Sequence, residues 1–151
     1  MSKFYLMEKG THLRLVLWKA EKAVERIDLQ SIAATGLCAS DFAIMEALLH
    51  KGPLMIGQIG EKVLLTSGSM TAAVNRLERN GYVQRIKKIE DARCCDVALT
   101  RKGRKIIEAA YPRHEKNLEK LAEGLTPEER NELVRLLKKI GYHAARIQIK
   151  K

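Results

Sequence analysis

Residues 66–99 read TSGSMTAAVNRLERNGYVQRIKKIEDARCCDVAL, and the rest of the chain is organised around them. The first half has helical spacing. Met70, Val74 and Leu77 fall on one face with Ala73 beside them, a stripe able to pack on a core. The opposite face carries Thr71, Asn75 and Arg79, with Ala72 between them. These are short polar groups and one cation, so that face can approach another surface closely. Gly81 stands where a helix takes a left-handed cap. Residues 82–86 and 96–99 predict two short strands, and the tip between them, 87–93, is charged and too polar to bury. A helix with a small polar outer face, followed by a basic hairpin, predicts a winged helix-turn-helix.

Immediately upstream, residues 56–64 predict a short helix with Ile59 and Val63 inward, and Leu65-Thr66 forms the turn into the next. Before it, residues 40–50 predict a helix with Phe42, Met45, Leu48 and Leu49 apolar, ended by Lys51-Gly52-Pro53. Over residues 11–29, Leu13, Val16, Leu17, Ala20, Val24 and Ile27 recur at three and four, with Trp18 bordering the stripe. Downstream, Thr100 is placed to cap a helix that ends at Gly124, and Pro112 inside it predicts a kink or local break. Thr126-Pro127-Glu128-Glu129 is a capping box that opens the last helix, which reaches about Ile147. Its stripe is Leu133, Leu137, Ile140, Ala144 and Ile147. The expected fold class is mainly α: a winged helix-turn-helix with flanking N- and C-terminal dimerisation helices and one β-hairpin wing. A single domain is expected over 1–151, with 40–103 as the DNA-binding part and 11–35 and 104–148 as dimerisation helices. The terminal stripes have no domain of their own to cover, and a second copy is the economical partner. Two heads also suit two half-sites about one DNA turn apart.

Composition narrows the function. The chain has 151 residues, 46% hydrophobic and 30% charged, enough for a core inside a solvated surface. Its net charge is +10, and residues 76–105 hold ten Lys/Arg against four acids, a local net of +6. That concentration points to a polyanionic partner. The second reading is a winged-helix module that docks an acidic protein; steep salt dependence and an inverted-repeat site would separate the two. Three cysteines, an odd number, are too few for a disulfide scaffold. The start, MSKFYLMEKG, has no apolar run of signal-peptide length, and no stretch approaches the roughly 18 apolar residues of a membrane span. A cytoplasmic protein with reduced thiols and no membrane partner is expected. His12, His50, His114 and His143 are scattered and there is no Cys-x-x-Cys, so no metal site is expected. With no phosphate loop, H-E-x-x-H or nucleophile elbow, no catalytic residues, cofactor or enzymatic activity are expected either.

On these residues the chain resembles the MarR family of bacterial winged helix-turn-helix regulators, from about Leu13 to Ile147. Asp91-Ala-Arg93, then Val97-Ala-Leu99-Thr100-Arg-Lys-Gly103, is similar to the family's D-x-R wing and V-x-L-T-x-x-G run. Leu65-Thr66-Ser67-Gly68-Ser69-Met70-Thr71, with Arg76-Leu77-Glu78 and Gly81, matches at the family's spacing. The Ser-Gly-Ser-Met-Thr form and Pro-x-His at 112–114 also resemble a branch answering quinones or phenolic compounds. The resemblance implies a homodimeric, sequence-specific regulator of double-stranded DNA at an inverted-repeat operator. It implies a repressor, released by a small phenolic or quinone-like ligand or by thiol oxidation. Helix 67–80 then enters the major groove, with Thr71 and Asn75 facing base edges. Ser67 and Ser69 donate to phosphate, Arg76 and Arg79 hold the backbone, and Lys87 and Lys88 add non-specific attraction. Arg93 reaches into the minor groove, with Asp91 orienting its guanidinium. Position 72 is Ala where some relatives carry a long basic side chain, so base readout rests on Thr71 and Asn75 with DNA shape. A small aromatic effector would sit between the dimer helices and the reading head. Trp18, His12, Met45 and His50 are candidates to line such a pocket, each read first as a plain core or surface residue, and the ligand-binding residues are left unassigned. Cys38, expected at the start of the second helix where negative charge is favoured, is the candidate redox sensor, able to react with a quinone or a peroxide.

Overall fold

The computed structural model describes residues 9–63, 67–87 and 95–148. In chain order the elements are α1 (Gly10–Ile32), a 3-10 turn (Ala33–Thr35), α2 (Ala39–Lys51), β1 (Leu54–Met55), α3 (Ile56–Val63), α4 (Ser67–Arg79), β2 (Val83–Lys87), β3 (Cys95–Leu99), α5 (Arg101–Ala122) and α6 (Pro127–Ala144). The chain divides into two compact units, residues 1–117 and 118–151, and the boundary falls within α5.

The first unit owns the core. Phe42, Met45 and Leu48 of α2, Ile59 of α3, Met70, Val74 and Leu77 of α4, Val83 and Val97 of the sheet and Ile107 of α5 are all buried in it. The helical and strand periods read from sequence therefore meet at one centre. The sheet differs from expectation by one strand. Its order is β1-β3-β2, antiparallel throughout, with Leu54 opposite Val97 and Val83 opposite Leu99. β1 is two residues long, too short to show any period, and it follows the Gly52-Pro53 stop. Gln58 then folds back to accept the Met55 amide at 3.0 Å.

The end of α4 is tied to the start of α5. Gly81 has φ +72°, the Gly81 amide bonds Glu78 O at 2.9 Å, and the Tyr82 amide bonds Leu77 O at 2.9 Å. That is the double closure of a Schellman cap, which needs glycine at its left-handed position. Thr100 Oγ1 donates to Gly81 O at 2.6 Å and accepts the Gly103 amide at 3.0 Å. Gly103 is buried against this knot; a Cβ there would stand 1.9 Å from Tyr82 O. The Thr-x-x-Gly run is thus the packing rule that fixes the hairpin's base to both helices.

Of the kink or local break expected at Pro112, the break does not occur: α5 continues as helix from Arg101 to Ala122. Proline removes one ladder bond; Ile107 before it and His114 after it are both buried. In the second unit the capping box is formed: the Glu129 amide donates to Thr126 Oγ1 at 3.2 Å and the Thr126 amide to Glu129 Oε2 at 2.8 Å. Arg130 closes the turn on Ala122 O and Glu119, each at 3.0 Å. α6 buries no residue; Leu133, Val134, Leu136 and Leu137 are exposed. On α1, Leu13, Val16, Leu17, Trp18 and Val24 are likewise exposed. No single helix among the described residues is long and apolar enough to cross a membrane.

Candidate nucleic-acid interface

α4 divides as its spacing predicts. Met70, Ala73, Val74 and Leu77 are buried, while Ser69, Thr71, Ala72, Asn75 and Arg79 are exposed. The outward face has no side chain between Thr71 and Asn75 larger than alanine, so a partner surface can come close to the helix. Ser67 opens the helix. Lys87, exposed, ends β2. Arg79 makes no ion pair among the described residues. Lys88, Asp91 and Arg93 lie outside the described residues.

Two arginines hold this helix to its surroundings. Arg76, expected on the DNA backbone, is engaged by Asp41 of α2: Nε donates to Oδ2 at 2.8 Å and Nη2 to Oδ1 at 2.5 Å. Asp41 is only 4% exposed, so its carboxylate depends on this fork for charge and hydrogen bonds. The hydrogen bonding to Asp41 raises the Arg76 pKa above its ordinary value. Arg85 of β2 makes the second brace, donating from Nη1 to Glu78 Oε2 and from Nη2 to Asn75 Oδ1, the latter at 2.7 Å. Sequence reading passed over both Asp41 and Arg85. A signal for Arg85 existed: strand alternation sets it on the same face as buried Val83, and an inward cation needs acceptors. Asp41 carried none, because its partner lies 35 residues away.

Comparison with known proteins matches this arrangement to a family. The MarR family model matches residues 37–95. YkoM of Bacillus subtilis, an uncharacterized HTH-type transcriptional regulator, is 34% identical over 138 residues, covering 91% of this chain and 90% of that protein. The chain belongs to the MarR family. MhqR of Bacillus subtilis, also an HTH-type transcriptional regulator, is 32% identical over 139 residues, covering 92% of this chain and 96% of that one. The solved structure of BpsR from Bordetella bronchiseptica, whose DNA binding is regulated by 6-hydroxynicotinic acid, superposes with a TM-score of 0.76 at 26% identity. It covers 89% of this chain and 94% of that one. This MarR-family protein is accordingly a DNA-binding transcriptional regulator and not an enzyme.

The remaining sequence candidates fall elsewhere in the MarR-family fold. Cys38 is the residue before α2, exposed, with Sγ 3.2 Å from Ser40 Oγ and 3.4 Å from Arg76 Nη2. Met45 is fully buried core, Trp18 is exposed, and His50 stacks edge-on against Tyr111 at 4.6 Å. His114, from the Pro-x-His run, is buried at 3% exposure, with Nδ1 3.2 Å from Ser31 Oγ and Nε2 3.6 Å from Asp28. Asn117 also donates to Ser31 Oγ, at 3.1 Å. This polar cluster joins α1 to α5 beneath Phe42, whose ring lies 4.6 Å from the imidazole.

Proposed function

We propose that the protein is a homodimeric repressor that grips an inverted-repeat operator by setting α4 of each copy in the major groove. The observation that carries this reading is the outer face of α4: Thr71 and Asn75 exposed, alanine between them, and a buried apolar face behind. Hydroxyl and amide groups there offer donors and acceptors to base edges. Arg79 and Lys87, with Lys88 and Arg93, supply cations for phosphate and the minor groove. Arg76, already held by Asp41, acts by fixing the angle of α4 and not as the main backbone clamp. The exposed apolar faces of α1 and of α6 are each what a second copy would cover.

The release signal is a small aromatic compound, by analogy with 6-hydroxynicotinic acid on BpsR. A covalent route is the second reading, favoured by the position of Cys38 against Arg76, the residue that braces α4. There the sulfur adds to a ring carbon of a quinone. The thiol S–H bond breaks and a C–S bond forms; the displaced ring π pair moves onto a carbonyl oxygen, which takes the thiol's proton, and the ring C–H proton at the new C–S carbon passes to the other oxygen, leaving the sulfur-substituted hydroquinone. Gel-shift titration on a selected inverted repeat, with and without benzoquinone or a simple phenol, separates these. Loss of binding with quinone in the wild type but not in Cys38→Ser assigns the thiol. Equal release of both by phenol assigns a pocket. No binding to any duplex from a random pool would remove the reading altogether.

A further inference from the structure

Base reading by Asn75 is part of the proposed function, and the following rests on that reading. Asn75 is not free to turn. Its Oδ1 accepts a hydrogen bond at 2.7 Å from Nη2 of Arg85, on the strand that follows the helix. The other arm of the same guanidinium donates to Glu78, one turn further along α4. Arginine has donors only, so the atom of Asn75 that faces it must be the carbonyl oxygen. The amide nitrogen is then turned away from Arg85, on the exposed face of the helix. An asparagine that reads adenine uses both ends: oxygen toward N6 and nitrogen toward N7. Here the oxygen is held by a cation, and its capacity to accept from a base is reduced.

We propose that Arg85 is a positioning residue for base readout, holding the Asn75 amide so that its N–H groups, not its oxygen, face the groove. The base edge selected is one rich in acceptors: O6 and N7 of guanine, or O4 of thymine. Glu78 completes the brace by fixing the guanidinium and balancing its charge, so Arg85 is not itself a phosphate contact.

The test is selection from a randomised duplex pool, sequenced and scored base by base, on the full chain. Wild type, Asn75→Ala, Arg85→Met and Arg85→Lys are compared, with thermal melts to check folding. In the wild type, one position per half-site is expected to prefer guanine or thymine over adenine by about tenfold. Asn75→Ala flattens that position. Arg85→Met shifts the same position toward adenine and leaves the others in order. Arg85→Lys keeps a charge for Glu78 but lacks the forked second arm; it shows the same shift, and it carries the test if Arg85→Met does not fold. A uniform fall in affinity with an unchanged base profile in the folded arginine variants overturns the positioning role. An unchanged profile in Asn75→Ala overturns base reading by Asn75 itself, a different failure. Adenine as the preferred base in the wild type also contradicts the inference.

Discussion

Arg76 and Asp41 form the pair in which charge and structure are hardest to separate. The carboxylate is buried and the guanidinium is partly exposed, so removing the cation strands an acid inside the fold. Arg76→Ala is expected to lower stability by about 2 kcal/mol, with partial recovery in Arg76→Lys, read from urea unfolding. Unchanged stability with a shallower salt dependence of DNA binding would return Arg76 to the DNA backbone. Gly103→Ala is the sharper test of packing, since the added carbon would overlap the Tyr82 carbonyl. A loss of at least about 3 kcal/mol in the same assay is expected; a native-like melt would mean the knot can open. At this scale the sequence was half legible. Outward Thr71, Asn75 and Arg79 followed from the helical period alone. The partners of Arg76 and Asn75 did not, because ion pairs between elements leave no local period.

Among the elements, α4 and α5 share one anchor. Thr100 caps α5 through the Gly103 amide and ties it to the Gly81 carbonyl at the end of α4. Thr100→Ala therefore removes a helix cap and an inter-element bond together. About 1–2 kcal/mol is expected, against about 1 kcal/mol for Thr126→Ala, whose hydroxyl serves α6 alone. Both are read by thermal melting, and equal losses would mean the Gly81 bond carries nothing. Helix starts and stops were readable because caps, Gly81 and the Thr126 box act within a few residues. β1 was not, because Leu54 and Met55 become a strand only by pairing with Val97 and Asp96, far along the chain. Pro112 does not break α5, and Ile107 before it and His114 after it are both buried.

For the whole molecule, the exposed apolar rows are the unfinished part. Leu133, Leu136 and Leu137 on α6, and Leu13, Val16 and Leu17 on α1, are exposed apolar side chains at helical spacing, each row of the kind a second copy can cover. Leu137→Glu on α6 and Leu17→Glu on α1 are each expected to shift sedimentation from dimer toward single chain and to weaken operator binding at least tenfold, with folding kept. A dimer unaffected by either would place its interface elsewhere. The concentration of cations in residues 76–105 was visible in composition and foretold a polyanion; a release signal was not legible there, since ligand recognition draws on residues from distant parts of a chain. Under the proposed function, two copies present a paired, positively charged grip to duplex DNA through α4. Its most direct test is the affinity of the full chain for a selected inverted repeat, measured by fluorescence anisotropy across a salt series. With about six phosphates neutralised by the two heads, log K is expected to fall against log salt with a slope of about −5. A slope near zero, or no binding at low salt, would contradict it.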